Sequence, residues 1–326
     1  MTNKSLHPKS RTNSGQYKIK NWSEYNQGLK QRGSLEIWIG QDIQSQWYYQ
    51  GEKKRGGQFQ YSNACIEMAC VIREVYHLPY RQLEGFISSL VTRLRWEVKV
   101  PNYTVINRRR KCLPVMLKDK IKKTKEKIYI LVDSTGLKVY GEGEWKVRGY
   151  GWSKHRTWMK VHVAIDEATA IIEGCVTTTN GVDDAAMVGP LLEQVSGKIN
   201  KMAADGAYDK RKVYKQLSEL KIKPIIPPRK GARIQKHGNR PGPTLARDEN
   251  IRAIRKWGRK RWKQKTHYHR RSIVENTMYR FKLIFGESLT SRITEQQQVE
   301  VKIKCKILNQ MTGLGMPNSY PLKKAA

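Results

Sequence analysis

Apolar side chains recur at helical spacing three times in the first third of the chain. Ser62 precedes Ile66, Ala69, Cys70, Val71 and Val75, the pattern of a capped amphipathic helix that His77, Leu78 and Pro79 bring to an end. Leu83, Phe86, Ile87, Leu90 and Leu94 form a second stripe, and Pro101-Asn102 introduces a third short helix, Tyr-Thr-Val-Ile-Asn-Arg-Arg-Arg-Lys. From residue 128 the period changes. Ile128 to Val132 is continuously apolar, as in a central strand covered on both faces, and Asp133 follows at its C-terminal end. A Gly-Glu-Gly turn at 141–143 separates it from Trp158 to Ile165 and Ala170 to Thr178, which complete an antiparallel meander.

Asp183 and Asp184 read as caps of a helix over Ala185 to Val195. A short strand, Met202-Ala203-Ala204, then ends in Asp205, and a helix from about Tyr208 to Leu220 and a strand at Lys223 to Ile226 finish a βββαβαβ order. Pro227-Pro228 opens a basic insertion containing Gly and Pro, at about 228–265, and a helix resumes near Tyr268. A last helix, about Glu295 to Met311, carries Val299, Val301, Ile303, Ile307 and Leu308 and is expected to cover the core. The fold class is α/β, a mixed sheet flanked by helices. The expected organisation is a basic arm and docking segment at 1–60, a helical region at 61–125, an α/β domain at 126–290 with the basic insertion inside it, and a C-terminal helix and tail at 291–326.

Charge adds a partner to this picture. The 326 residues hold 63 Lys and Arg against 28 Asp and Glu, a formal net charge of +35. The surplus is segregated: residues 1–127 carry 25 basic and 10 acidic side chains, residues 128–206 carry 8 and 10, and residues 207–326 carry 30 and 8. A near-neutral core between two basic segments points to a polyanion, with nucleic acid ahead of membrane lipid because no helix pairs a basic face with a bulky apolar one. No apolar run approaches the roughly 18 residues of a membrane span, and no secretory signal opens the chain, so a cytoplasmic protein is expected. Five cysteines without a C-x-x-C pair read as buried, reduced thiols. The three short helices suggest a helix-turn-helix whose third member presents Thr104, Asn107, Arg108, Arg109 and Arg110 to DNA, with a plain packing module as the alternative. Trp257 and Trp262 are assigned to packing rather than to stacking on an unpaired base.

Two acids, each closing an apolar strand, and a third on a later helix suit a two-metal phosphoryl-transfer site: Asp133, Asp205 and Glu275. Hard carboxylate oxygens favour Mg²⁺, with Mn²⁺ as a substitute, in pairs about 3.5 to 4 Å apart. At about 100° per residue, Tyr268, Arg271, Glu275 and Lys282 fall at about 0°, −60°, −20° and −40°, on one narrow helix face. Glu275 would take a metal there, Arg271 and Lys282 would hold DNA phosphates, and Tyr268 would hydrogen-bond one. An ordinary Arg/Glu surface pair explains neither that four-residue spacing nor the paired aspartates.

With these motifs assembled, the chain resembles the DDE transposases of bacterial insertion sequences, in the branch named after insertion sequence five. The resemblance rests on Val-Asp-Ser-Thr-Gly at 132–136, Ala-Asp-Gly-Ala-Tyr-Asp at 204–209, and the Tyr-Arg-Glu-Lys signature within 268–282. Asn-Trp-Ser-Glu-Tyr-Asn at 21–26, Leu-Pro-Tyr-Arg-Gln-Leu-Glu-Gly-Phe at 78–86 and Tyr-Gly-Trp-Ser-Lys-His-Arg-Thr-Trp at 150–158 extend it over nearly the whole chain. It implies an RNase H-like catalytic fold with the strands bearing Asp133 and Asp205 side by side. It also implies metal-dependent cleavage and strand transfer at terminal inverted repeats, into target DNA, by a homo-oligomer assembled on double-stranded DNA near the nucleoid. The rival is a catalytically silent, transposase-derived DNA-binding protein acting as a repressor or architectural factor.

Overall fold

The computed structural model describes residues 17–52, 55–118, 127–139, 158–229, 231–236 and 244–322. The Gly-rich turn at 141–143 and residues 150–157 of the Tyr-Gly-Trp-Ser-Lys motif lie outside the described residues, as does the start of the basic arm.

Six strands form the central sheet: β2 (Ile128–Val139), β3 (Trp158–Asp166), β4 (Ile172–Thr179), β5 (Ile199–Ala203), β6 (Lys223–Ile225) and β7 (Ser288–Leu289). The order is β4-β3-β2-β5-β6, with β2, β3 and β4 antiparallel and β5 and β6 parallel to β2. An antiparallel meander continued by parallel crossovers on its first strand is the RNase H-like arrangement. β7 joins the far end of β2 in parallel, through Lys138 and Val139. A separate two-stranded pair, β1 (Tyr17–Ile19) with β8 (Ser319–Pro321), ties together distant parts of the sequence.

The strand alternation divides the core. Ile128, Ile130 and Val132 face one side, with Val188, Leu191 and Leu192 of α6 (Val188–Leu192) and Val213 and Leu217 of α7 (Arg211–Glu219). Leu131, Leu137, Val161 and Val163 face the other, which is covered by α9 (Ser272–Phe285) and α10 (Thr294–Gly313). Two N-terminal helices, α1 (Trp22–Gln31) and α2 (Leu35–Trp38), lead to α3 (Asn63–Val75), α4 (Tyr80–Arg93) and α5 (Tyr103–Arg110), and these last three lie on the same side. Ser62 caps α3 by accepting from the Cys65 amide at 3.0 Å, and Asn102 caps α5 by accepting from Val105 at 2.9 Å. The C-terminal helix covers the core, with Val301, Ile303, Cys305 and Ile307 fully buried.

Several readings of the sequence need correction. β2 does not stop at Asp133 but continues to Val139, so the acid is mid-strand. The basic insertion contains a helix, α8 (Ala246–Lys265), broken at Gly258, where φ is +76°. Trp262 is fully buried against Tyr268, as the packing assignment expected. Cys112 is exposed, unlike the other four thiols.

The arginine run of α5 has three separate fates. Arg110 is 1% exposed, donates to the Tyr80 hydroxyl at 2.9 Å and lies 3.4 Å from both Glu74 and Glu300. Its expected role as a DNA contact is therefore corrected: the guanidinium is spent inside the protein. Arg109 donates at 2.8 Å to the Tyr61 carbonyl and the Asn63 side chain and lies over the Phe59 ring. Arg108 alone of the three is exposed. Asn107 accepts from Gln296 of α10 at 2.9 and 3.1 Å, so α5 is docked on α10 along this edge.

Candidate active site

The site forms where β2 changes neighbours. β5 pairs with Ile128 to Leu131 and ends at Ala203, while β7 begins only opposite Lys138. Between them one edge of β2 is unpaired among the described residues, at the carboxyl end of a parallel strand, the usual location for a ligand crevice in such sheets. Asp133 lies on that stretch, two residues beyond Leu131. Strand alternation puts it on the side of α9 and puts Ser134 on the side of α6.

The turn leading into α9 supplies the opposing groups. His267 adopts a left-handed conformation, and Tyr268 to Arg271 form a 3₁₀ turn before the helix begins at Ser272. Tyr268 and Arg271 are thus presented by the turn and not by the α-helix itself, although Arg271 still meets Glu275 four residues on. Arg271 donates one amino group to Asp133 at 2.7 Å and the other to Glu275 at 2.5 Å. One guanidinium joins two carboxylates from segments 142 residues apart. Tyr268 is buried, and burial pushes its phenol above its ordinary value while the nearby Arg271 charge opposes that push. Its ring packs on Trp262, so it braces the arginine instead of facing outward. Glu275 is exposed at 57% of its side chain, and Lys282 is two helical turns farther along α9, half-buried.

Asp205 follows β5 by two residues and caps the next 3₁₀ turn, accepting from the Ala207 amide at 2.8 Å. It is close enough to Asp133 to disfavour a second negative charge there. Burial pushes the Asp133 carboxyl above its ordinary value and Asp205 adds to the push, while Arg271 and the Ser134 amide oppose it. Burial works against the Arg271 charge too, but Asp133, Tyr268, Glu275 and Asp205 together hold it protonated more firmly than usual.

A further acid escaped the sequence reading. Asp183 does cap its turn, accepting from Ala185, and Lys210 lies 2.6 Å away. Asp184, however, accepts from the Ser134 hydroxyl at 3.1 Å and from Lys160 at 3.0 Å, directly behind Asp133 on β2. His162, opposite Ser134 on β3, sits 3.9 Å from Asp184, and burial pushes its imidazole below its ordinary value although Asp184 opposes this. Tyr208 completes this layer; burial and the charges of Asp184, Asp133 and Asp205 push its phenol well up. The adjacency of two aspartates that can both cap a turn concealed the second role.

Among the described residues, no three His, Cys, Asp or Glu side chains form a closed cluster able to hold a metal ion. Arg271 accounts for this arrangement, since its guanidinium bridges the carboxylates of Asp133 and Glu275. The donor chemistry nonetheless fits a hard divalent cation: carboxylate oxygens, a partly buried acid beside a second acid, and a cation already drawn to them.

Two family models, both described as "Transposase DDE domain", match this chain, one over residues 30–142 and the other over 124–310. Among solved structures, the chain is similar to one described as "Cryo-EM structure of piggyBac transposase synaptic complex with hairpin DNA (SNHP)". The two share 13% identity, with 91% of this chain and 76% of that one covered, at a TM-score of 0.39.

Proposed function

The chain belongs to the DDE transposases, enzymes that cut and transfer DNA strands, and from that premise we propose that it moves an insertion sequence by acting on its terminal inverted repeats. The signature spacing supports the branch of insertion sequence five. One observation carries the assignment of the site. Asp133 and Glu275, far apart in sequence, converge on one arginine at the same edge of β2, with Asp205 alongside.

In this reading Asp133, Asp205 and Glu275 hold Mg²⁺, or Mn²⁺ in its place. When bound, the divalent ions supply positive charge against the phosphoryl oxygens and favour the deprotonated form of the attacking hydroxyl. Arg271 exchanges its carboxylates for a DNA phosphate once the acids are otherwise neutralised, and Tyr268 fixes the direction of that movement. Lys282 takes a neighbouring phosphate on the same face. Lys160 holds Asp184, and Asp184 holds Ser134 and with it the backbone on which Asp133 is carried. Arg108 and the basic residues of α8 contribute phosphate contacts to double-stranded DNA. Holding two element ends together calls for a homo-oligomer on DNA.

The test is nicking of duplex DNA that carries the element ends. Cleavage that requires Mg²⁺ and is lost in Asp133→Asn, with end binding retained, is the expected result. Binding without nicking at any Mg²⁺ or Mn²⁺ concentration would instead identify a silent DNA-binding protein.

A further inference from the structure

The outward arc of α9 carries two large apolar side chains beside the acidic site. At about 100° per residue, with Glu275 at 0°, Tyr279 falls at about 40°, Leu283 at about 80° and Asn276 at about 100°. All four are exposed, while Val274, Met278, Phe281 and Phe285 turn inward. Tyr279 is 66% and Leu283 70% exposed, so the helix of Glu275 presents a phenol ring and an isobutyl group to solvent where a polar face is expected.

Packing does not explain the pair. A Tyr and a Leu four residues apart can support a helix by touching each other, but side chains that remain two-thirds in water cover one another little. Single exposed apolar residues need no explanation; these two are neighbours on the arc that bears the acid. Their position does explain them. Along the helix axis Tyr279 lies about 6 Å from Glu275 and about 4.5 Å from Lys282. Glu275 and Lys282 are thus about 10.5 Å apart, a length over which one strand of duplex DNA advances about three phosphates. A strand that reaches both passes the intervening nucleotides over Tyr279, with Leu283 beside it. The net charge of +35 draws phosphates to this chain, and what lies between phosphates is the apolar face of a sugar or a base. An aromatic ring backed by an aliphatic group fits that face and not a phosphate.

We propose that Tyr279, backed by Leu283, is a contact residue for a nucleotide beside the scissile phosphate. The ring holds sugar or base and so fixes where that phosphate lies relative to the three acids. This rests on the transposase reading of the site. The apolar face has two sources, the deoxyribose of a paired nucleotide or the ring of a base that has left the duplex.

The experiment uses the full chain and duplex DNA carrying the element ends. Tyr279→Ala and Tyr279→Phe are compared with Leu220→Ala, at an exposed apolar residue just after α7 on the other side of the sheet. In Mg²⁺, Tyr279→Ala should slow nicking by about tenfold, the loss of one nucleotide contact, and chiefly in kcat because phosphate contacts carry the affinity. Tyr279→Phe keeps the ring and should restore most of the rate, Leu220→Ala should nick as the wild type does, and all melting temperatures should agree. In EDTA, hydroxyl-radical cleavage reads the sugar and 2-aminopurine fluorescence reads the base at each nucleotide beside the cut. Protection of a deoxyribose that disappears in Tyr279→Ala identifies the sugar; a fluorescence change that disappears in the same variant identifies an unpaired base. The proposal is overturned if Tyr279→Ala nicks as fast as the wild type, if Tyr279→Phe is as slow as Tyr279→Ala, or if neither signal in EDTA depends on the ring. It is also overturned if Tyr279→Ala and Leu283→Ala lower the oligomeric state, which would make the pair a contact between copies. A wild type that does not nick at all overturns the transposase reading and the proposal together, whereas nicking that is indifferent to Tyr279 overturns the proposal alone.

Discussion

Replacing Glu300 by Gln isolates one group on which the attachment of the N-terminal helices depends. Glu300 is fully buried and accepts from the Thr290 and Ser291 amides at 3.0 and 2.9 Å and from the Ser291 hydroxyl at 2.7 Å. Burial pushes its carboxyl up, but Lys304, Arg110 and Ser291 more than reverse that and hold it at about 2, from an ordinary 4.5. A depressed carboxylate contributes stability that is complete above the unfolded value and is lost as pH falls toward the folded one. The fall from 4.5 to about 2 corresponds to about 3 kcal/mol. Glutamine carries no charge at any pH and lacks this contribution. The wild type should therefore lead Glu300→Gln clearly at pH 6, and the lead should shrink by about 3 kcal/mol by pH 2. Urea denaturation of both proteins across that range is the assay. A lead that stays constant with pH would refute the reasoning, because it would mean that the ion network of α3, α5 and α10 does not depend on the charge of Glu300.

Two other substitutions probe the active site. Arg271→Ala removes hydrogen bonds to two carboxylates in a half-exposed setting and should cost about 1 to 2 kcal/mol in EDTA. Thermal melts should show that deficit narrowing when Mg²⁺ replaces the lost cation, and an equal deficit with and without Mg²⁺ would contradict the bridging role. Asp184→Asn should slow Mg²⁺-dependent nicking by about 10- to 100-fold, as for outer partners of metal-binding acids, with DNA binding unchanged. A rate equal to that of the wild type would make Asp184 a mere turn former.

Much of this site was legible before the fold was. The continuous apolar run ahead of Asp133 marks a central strand, and the spacing from Arg271 to Glu275 survives because four residues make one helical turn whatever precedes them. The end of β2 was not legible, since the apolar run stops at Val132 and the strand continues only because Thr135 and Gly136 pair with Val161 and Lys160 of β3. The helix of α8 was hidden by its charge: in 20 residues, Ile251 and Trp262 are the only fully buried apolar anchors. Arg108, Arg109 and Arg110 are chemically identical, and successive 100° rotations separate one toward solvent from one toward Glu74 and Glu300. No local signal reports those partners, which lie 36 and 190 residues away. The same holds for Asp184, whose role depends on the strand alternation that turns Ser134 toward it.

The central claim is that Asp133, Asp205 and Glu275 bind the same divalent ions. Mn²⁺ binding followed by electron paramagnetic resonance, in the wild type and in Asp133→Asn, Asp205→Asn and Glu275→Gln, tests it directly. Each of the three variants should bind Mn²⁺ at least about tenfold more weakly, while Asp166→Asn, outside the site, should match the wild type. Wild-type affinity in Glu275→Gln or in either aspartate variant would contradict the claim.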